Sequence, residues 1–205
     1  MGTPSPETAG TDSLPAPGPA AGTSTVPAAI AELTDALTAT VGAVQTGQLD
    51  GRTPCPDFTV GDLLGHLAEF LARSQRAARK LGVLSAEGSG PEAVAAAARA
   101  LGVAWQPGDA LLGTTDMGFG PMPAELAAVI TIQELGLHGW DLAVATGSPY
   151  RLSEPTGRAV LEAVVSFSPR ARASGSYGPA LHLSPNAPAL QRALAASGRS
   201  PSWSR

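Results

Sequence analysis

The sequence has one cysteine, few aromatic residues and no long apolar run. Cys55 is the single cysteine among 205 residues, which excludes an internal disulfide framework and favours a reducing compartment. No run reaches the roughly 18 consecutive apolar residues that a transmembrane helix needs. The N-terminal residues lack the basic and apolar segments of a secretory signal. These absences predict a soluble, cytoplasmic protein that does not enter a membrane.

Positive charge is also scarce, and it is nowhere concentrated. The net charge is −4 at pH 7, and no block of lysine or arginine forms the basic footprint that nucleic-acid binding requires. The same balance disfavours attraction to an anionic membrane surface. We therefore expect a small-molecule substrate, and no nucleic-acid or membrane partner.

The composition favours helices packed around one core. Hydrophobic residues make up 43% of the chain and aromatic residues only 4%, and alanine is used heavily. Small side chains in straight helical runs fit a helical bundle better than a β-sandwich. A chain of this length can bury one sizeable core. The expected fold class is all-α.

The residue pattern divides the chain into three parts. Residues 1–25 are rich in Pro, Gly, Ala, Ser and Thr and predict a disordered tail. Residues 26–150 predict a four-helix bundle, and residues 151–205 a short C-terminal helical extension that packs on it. Apolar residues at three- and four-residue steps place the helices at about 26–47, 59–81, 91–103, 124–145, 155–168 and 187–196. Residues 106–123 are expected to form a long loop with a short extended piece at 110–112.

One predicted helix carries residues with the spacing of metal ligands. Glu134 and His138 are four residues apart, so they lie on one face of the helix. Asp141, three residues further, falls on the same face. A carboxylate and an imidazole so placed can hold one metal ion from one side. Alone, the pair is more typical of solvated neighbours or a single hydrogen bond.

A second predicted helix supplies a third candidate ligand. His66 lies mid-way along it, as Glu134 and His138 do along theirs, and helical bundles build metal sites from inward side chains of facing helices. Three ligands leave one position open for water or substrate, as in catalytic zinc sites. Two imidazoles and a carboxylate also suit nickel, manganese or iron. Asp141 could orient His138, act as a base or anchor a substrate.

Other candidate residues have simpler interpretations. Each histidine alone is more often a hydrogen-bonded core residue than a ligand. Cys55, between two prolines, is expected to be a buried structural cysteine, and His182 a surface or packing residue. Glu69 is expected to be solvated. Residues 118–123 are expected to form a mobile rim over the site.

Several segments resemble a known family of metalloenzymes. Residues 53–60 (TPCPDFTV) and 62–67 (DLLGHL) resemble the second-helix entry of the DinB-like metalloenzymes of actinobacteria, and residues 134–143 (ELGLHGWDLA) resemble the matching later helix. The closest subset is the mycothiol-dependent maleylpyruvate isomerase-like family. Residues 177–188 also resemble the tail of a small, largely uncharacterised branch of it.

The resemblance implies a DinB-like four-helix bundle that holds a divalent metal, usually zinc, at His66, Glu134 and His138. It also implies that the thiol of mycothiol adds to an activated double bond, and that Asp141 helps to handle thiol and substrate. The family's isomerase has a larger C-terminal domain than the roughly 55 residues present here. Its thiol-contacting arginines have no clear counterpart, with Arg99 and Arg158 as the candidates. No other cofactor-binding residue is assigned.

Three functions stay open at this level. The first is a metal-dependent enzyme, a transferase or isomerase, that activates a mycothiol-like thiol toward a small electrophile. The second is a hydrolase or lyase of small-molecule metabolism that uses metal-activated water. The third is a metal- or ligand-binding protein without chemistry. A homodimer is compatible with an alanine-rich bundle, although no helix face stands out as its interface.

Overall fold

A computed structural model describes residues 25–205 and contains six α-helices and two short strands in that range. The predicted N-terminal tail lies outside the described residues, apart from its last residue. The helices are α1 (Thr25–Gly42), α2 (Val60–Ala78), α3 (Pro91–Ala104), α4 (Ala124–Thr146), α5 (Glu154–Ala173) and α6 (Ala189–Ala196). The strands β1 (Thr114–Asp116) and β2 (Pro121–Pro123) pair antiparallel, with Thr115 opposite Met122. The prediction of an all-α fold is confirmed.

Local sequence signals set the helix ends. Thr59 caps α2, because its side chain accepts from the Asp62 N–H at 3.1 Å while Asp62 accepts from the Thr59 N–H at 3.0 Å. This is a capping box, which satisfies backbone donors that the first helical turn leaves free. The Ser153 side chain caps α5. Gly147 ends α4 with φ 77°, in the left-handed region that glycine occupies without strain.

Helices α1 to α4 form the bundle. Helices α1 and α3 pack against each other, and both α1 and α2 pack against α4. The predicted apolar stripes are the buried ones: Ile30, Leu33, Leu37 and Val41 on α1, and Leu63, Leu64, Leu67 and Leu71 on α2 are at most 2% exposed. Burial of this much aliphatic surface is the main source of the bundle's stability.

Helix α4 is buried on several sides because neighbours approach it closely. A Cβ added at Gly136 would lie 2.6 Å from a Val160 methyl carbon of α5, and one added at Gly139 would lie 2.5 Å from the Tyr150 hydroxyl oxygen. That hydroxyl donates to the Leu135 carbonyl at 2.9 Å. The two glycines therefore let α5 and the chain before it lie against α4.

The C-terminal segments return to the bundle. Helix α5 packs against α4 and α1, and α6 packs against α5. Arg172 of α5 donates to the carbonyl of Ala196, the last residue of α6, at 2.9 Å. The chain after α6 then runs back to α4, where Arg199 meets Asp141. This return brings a residue from the end of the chain into the centre of the bundle.

Three local predictions were wrong. The first helix was expected to reach about residue 47, but α1 ends at Gly42 and a separate 3₁₀ turn covers Thr46–Gln48. Residues 110–112 were expected to be extended, but Gly108–Leu111 is a 3₁₀ turn, and the extended pieces are β1 and β2. Helix α5 continues to Ala173 instead of ending near residue 168, with Pro169 inside it. Pro169 has no N–H to donate to the carbonyl four residues earlier, and a proline inside a helix normally ends or kinks it. The neighbouring Ser166 and Ser168 hydroxyls donate to the Ala163 and Val164 carbonyls within the helix.

Among residues 25–205, none of the helices combines the length and the apolar character that crossing a membrane would require.

Candidate metal centre

Three side chains predicted as metal ligands meet between α2 and α4. The Nε2 atom of His66 lies 3.0 Å from Oε2 of Glu134, and Nε2 of His138 lies 3.5 Å from the same oxygen. The three potential ligand atoms all lie within 4.8 Å of one another. Ligands about 2.1 Å from one tetrahedral zinc ion are about 3.4 Å apart. The donor set and its spacing therefore fit one divalent metal ion.

A buried carboxylate fixes the orientation of one imidazole. Nδ1 of His138 lies 3.0 Å from Oδ2 of Asp141, whose side chain is fully buried. Because a carboxylate only accepts, we assign the ring proton to Nδ1, so Nε2 keeps its lone pair toward the centre. Asp141 thus has the geometry of a positioning residue, and its predicted catalytic role stays a prediction.

Arg199 holds that carboxylate from the other side. Its Nε donates to Oδ1 of Asp141 and its Nη2 donates to Oδ2, each at 2.8 Å. This is a two-pronged guanidinium–carboxylate pair, the strongest class of hydrogen-bonded ion pair in proteins. Burial raises the pKa of Asp141, but the hydrogen bonds from His138 and Arg199 outweigh it and hold that pKa below its usual range. Asp141 is therefore ionised and accepts hydrogen bonds from both His138 and Arg199.

The carboxylate of Glu134 is also held in its charged form. Its side chain is 19% exposed. Burial raises the pKa of this group, whereas the hydrogen bond from His66 and the nearby His138 and Arg199 lower it, with a net value below the ordinary one. An ionised carboxylate between two imidazoles is the protonation state that metal binding requires.

Phe58 covers the two imidazoles. Its ring centre lies 5.2 Å from that of His66 and 6.2 Å from that of His138. The loop that carries it is held by Thr53, whose hydroxyl lies 2.8 Å from the Cys55 carbonyl oxygen and 2.9 Å from that of Phe58. The proline-flanked loop therefore places an aromatic ring beside the centre and limits the access of water to it.

A cavity of about 660 Å³, here called the α4-side cavity, opens onto the three ligands. Its apolar lining residues include Phe119, Met122, Leu126, Ile130 and Phe167. Its polar lining residues include Cys55, Arg170, Tyr177 and Arg199. Residues 119–122 belong to the segment that was predicted as a rim, and they do line the site; the mobility of that segment stays a prediction.

Cys55 differs from its prediction as a buried residue. It is half-buried and lines the α4-side cavity. The two prolines beside it prevent a helix and leave the residue on an open loop. Burial, followed by the negative charge of Asp141, raises the pKa of its thiol. Cys55 is consequently a neutral thiol in the cavity wall and not an activated nucleophile.

The arginines suggested by the resemblance lie elsewhere. Arg99 is on α3, away from the centre, and Arg158 is exposed on α5, 3.8 Å from Glu154. Neither lines the α4-side cavity, and His182 does not line it either. Arg199 takes the place near the centre instead. The one sequence signal for Arg199 was indirect, because a carboxylate at position 141 inside an apolar helix needs a cationic partner. The chain has 13 lysines and arginines, so this signal does not identify which of them is the partner.

Two proteins from one species are similar to this chain over part of its length. The chain is 31% identical over 121 residues to two uncharacterized proteins of Mycobacterium tuberculosis, one from strain CDC 1551 / Oshkosh and one from strain ATCC 25618 / H37Rv. The match covers 55% of this chain and 63% of each relative. No solved structure matches the chain.

A family model agrees with the sequence resemblance. The model described as the mycothiol maleylpyruvate isomerase N-terminal domain matches residues 30–143. This range includes His66, Glu134 and His138 and ends before Arg199. Because the matched range is more than half of the sequence, the chain belongs to the family of the mycothiol maleylpyruvate isomerase N-terminal domain.

Proposed function

We propose that this chain is a divalent-metal-dependent enzyme that activates a mycothiol-like thiol for S-transfer to a small electrophile, or for its cis–trans isomerisation. The observation that carries the proposal is the convergence of His66, Glu134 and His138 at a cavity large enough for a small molecule. Family membership supports a mycothiol-related, metal-dependent function in the broad sense. The thiol, the reaction and the substrate are our inference.

The chain's own residues would prepare the site. His66, Glu134 and His138 would hold the ion, with zinc as the expected metal and nickel, manganese or iron as the alternatives. A bound divalent ion lowers the pKa of a nearby thiol, which makes the thiolate available at neutral pH. Asp141 and Arg199 keep His138 in one orientation and tautomer. Phe58 and the apolar lining around Phe119 would reduce the contact of the thiolate and the electrophile with solvent.

The proposed chemistry conserves the thiol in one case and consumes it in the other. In isomerisation, the sulfur lone pair forms a C–S bond, the double bond becomes single and rotates, and the sulfur then leaves with its electron pair. In S-transfer, the C–S bond stays and a leaving group departs with the electrons of the bond that breaks. The thiol proton passes to solvent in both cases and returns only in the first.

Metal analysis with paired histidine variants tests the metal-binding part. Wild-type protein and the His182→Ala variant, which removes an exposed imidazole outside the α4-side cavity, are expected to hold one ion per chain. His138→Ala removes one ligand and is expected to weaken metal binding at least tenfold. Equal, low metal content in all three proteins would contradict the proposal.

Turnover with and without thiol tests the reaction. Metal-loaded wild-type protein is expected to consume small electrophiles only when mycothiol is added, and the His138→Ala variant is expected to lose that activity. Turnover that needs the metal but is indifferent to the thiol would select a hydrolase or lyase instead. Metal binding without any turnover would select a binding protein.

A further inference from the structure

A second cavity adjoins the metal centre on the α2 side. This α2-side cavity has a volume of about 640 Å³ and shares Asp57, Phe58, His66 and Phe119 with the α4-side cavity. Its other wall is formed by α2, including Gly65, Glu69 and Arg73. The His66 side chain therefore lines two cavities, and Phe119, at the turn between β1 and β2, lines both of them as well. Such an arrangement has room for two ligands at one centre.

Unpaired polar atoms line both cavities. Among residues 25–205, four enclosed side-chain polar atoms have no hydrogen-bond partner: Thr38 Oγ1, Glu69 Oε2, Arg73 Nε and Tyr177 Oη. Glu69 and Arg73 line the α2-side cavity, and Tyr177, which is 7% exposed, lines the α4-side cavity. Buried polar groups are normally satisfied by a hydrogen-bond partner. Three of these four atoms lie in residues that line the two cavities, where a bound ligand or water can supply that partner.

The Glu69 and Arg73 side chains are placed to meet a ligand. The Arg73 Nη2 and Glu69 Oε2 atoms are 3.8 Å apart, and the two side chains are 37% and 41% exposed. The other Glu69 oxygen accepts from the Ala86 N–H at 3.1 Å, which anchors the carboxylate. Both side chains line the α2-side cavity, and neither Glu69 Oε2 nor Arg73 Nε has a hydrogen-bond partner within the described part of the chain. The cavity therefore offers one acceptor and one donor side by side.

One position of α2 that lines the α2-side cavity is a glycine and has no side chain to fill it. Gly65 lines the α2-side cavity, and a Cβ added there would meet no atom within 4 Å. Glycine inside a helix is about 1 kcal/mol less favourable than alanine. Position 65 has room for a side chain that the sequence does not supply, and the space stays available beside His66.

The charge of this cavity defines its ligand. Three carboxylates, of Asp57, Asp62 and Glu69, face one guanidinium, of Arg73. This excess of negative charge disfavours an anion, whereas Arg170 and Arg199 line the α4-side cavity. The paired acceptor and donor suit neutral groups that both give and take hydrogen bonds, such as hydroxyls and amides. The rings of Phe58, Phe70 and Phe119 suit the C–H face of a sugar.

We propose that the α2-side cavity binds the neutral, hydroxyl-rich part of the thiol, while the electrophile occupies the α4-side cavity. In mycothiol the cysteine is carried by an amide on a sugar–polyol unit, which has this chemistry. The two reactants then meet at His66, which lines both cavities, next to Glu134 and His138 in the α4-side cavity. This inference rests on the proposed function for the identity of the thiol, but the cavity, the unpaired atoms and the charge are independent of the reaction.

Calorimetric titration of the full-length, metal-loaded protein with N-acetylglucosaminyl-inositol tests the site. This probe keeps the sugar–polyol unit and lacks the thiol. Gly65→Leu fills the cavity and is expected to weaken its binding at least tenfold. The control Gly42→Leu adds the same side chain at an exposed helical glycine that also meets no atom within 4 Å, and it is expected to bind like wild type.

A second pair of variants tests the site without adding bulk beside His66. Arg73→Gln removes the unpaired donor and is expected to weaken binding about three- to tenfold, as loss of a partly exposed hydrogen bond does. Its control, Arg158→Gln, breaks an ion pair of the same spacing and length, 3.8 Å from Glu154, outside both cavities. Metal content measured in every variant shows whether the centre is intact.

The outcomes separate this inference from the proposed function. The inference would be overturned if the probe did not bind wild-type protein. It would also be overturned if Gly65→Leu and Arg73→Gln both bound the probe as tightly as wild-type protein does. Binding that these variants weaken, in a protein without thiol-dependent turnover, would keep the site and remove the proposed reaction. Thiol-dependent turnover with an unchanged KM for mycothiol in both variants would keep the proposed reaction and remove the α2-side binding site.

Discussion

Arg199 offers the sharpest test of how the centre is held. The carboxylate of Asp141 is fully buried and has three close donors: Nε and Nη2 of Arg199, each at 2.8 Å, and Nδ1 of His138 at 3.0 Å. Arg199→Met keeps an apolar stem of similar length and removes the guanidinium. Asp141 would then keep one donor in place of three.

The expected effect on stability is large. Removing one partner of a buried ion pair typically destabilises a protein by about 3–5 kcal/mol, because a charge is left without compensation. The Arg199 side chain is only 9% exposed, so water can replace it poorly. Metal affinity should fall by up to about 10–100-fold, the usual effect of disrupting the hydrogen-bond partners behind a metal-binding histidine, because Arg199 holds the carboxylate that orients His138.

Two measurements distinguish positioning from simple packing. Urea unfolding of the metal-free protein reports stability, and competition with a chelator reports metal affinity. Arg192→Met, at an exposed position of α6, serves as the control and should leave both unchanged. Arg199→Lys keeps the charge but not the two-pronged geometry, so it should recover part of the stability.

A double variant separates the two effects. Asp141→Leu combined with Arg199→Met replaces the ion pair by apolar side chains, which is often neutral for stability. It should recover much of the stability lost in Arg199→Met, while metal affinity stays low because Nδ1 of His138 has no acceptor. Wild-type metal affinity in both the single and the double variant would refute the positioning role.

Two contacts at the start and the middle of α5 lead to further predictions. Burial raises the pKa of Glu32, but hydrogen bonds from Thr156 and Ser153 outweigh it and hold the pKa below its ordinary value. The stabilisation by ionised Glu32 is therefore present above about pH 4.3 and is lost as the pH falls through the lower folded-state pKa. Glu32→Ala should lower the unfolding free energy at pH 7 by about 1–2 kcal/mol, because it removes hydrogen bonds to a charged acceptor. An equally acid-sensitive urea midpoint in wild type and variant would contradict this. Gly136→Ala places a Cβ 2.6 Å from a methyl carbon of Val160 and should cost about 1–3 kcal/mol in urea unfolding. Adding Val160→Ala should recover part of that loss, and simple addition of the two losses would show that the contact is not the cause.

Helix positions followed from the sequence because their causes are local. The apolar stripe of α2, the Thr59–Asp62 capping box and the Gly147 end of α4 depend on residues within one or two turns. The prediction failed at residues 110–112 and beyond 168, where a short turn, a hairpin and a proline within a helix depend on packing against the rest of the chain.

The sequence by itself determined the all-α class and the three metal-ligand candidates, because helical periodicity puts Glu134 and His138 on one face and places His66 mid-way along its own helix. Only the tertiary structure decided what surrounds them. Arg199 meets Asp141 across 58 positions of the chain, and the two cavities meet at His66 between α2 and the β1–β2 turn. Such contacts arise from how the helices pack, and packing geometry leaves no periodic trace in the order of residues.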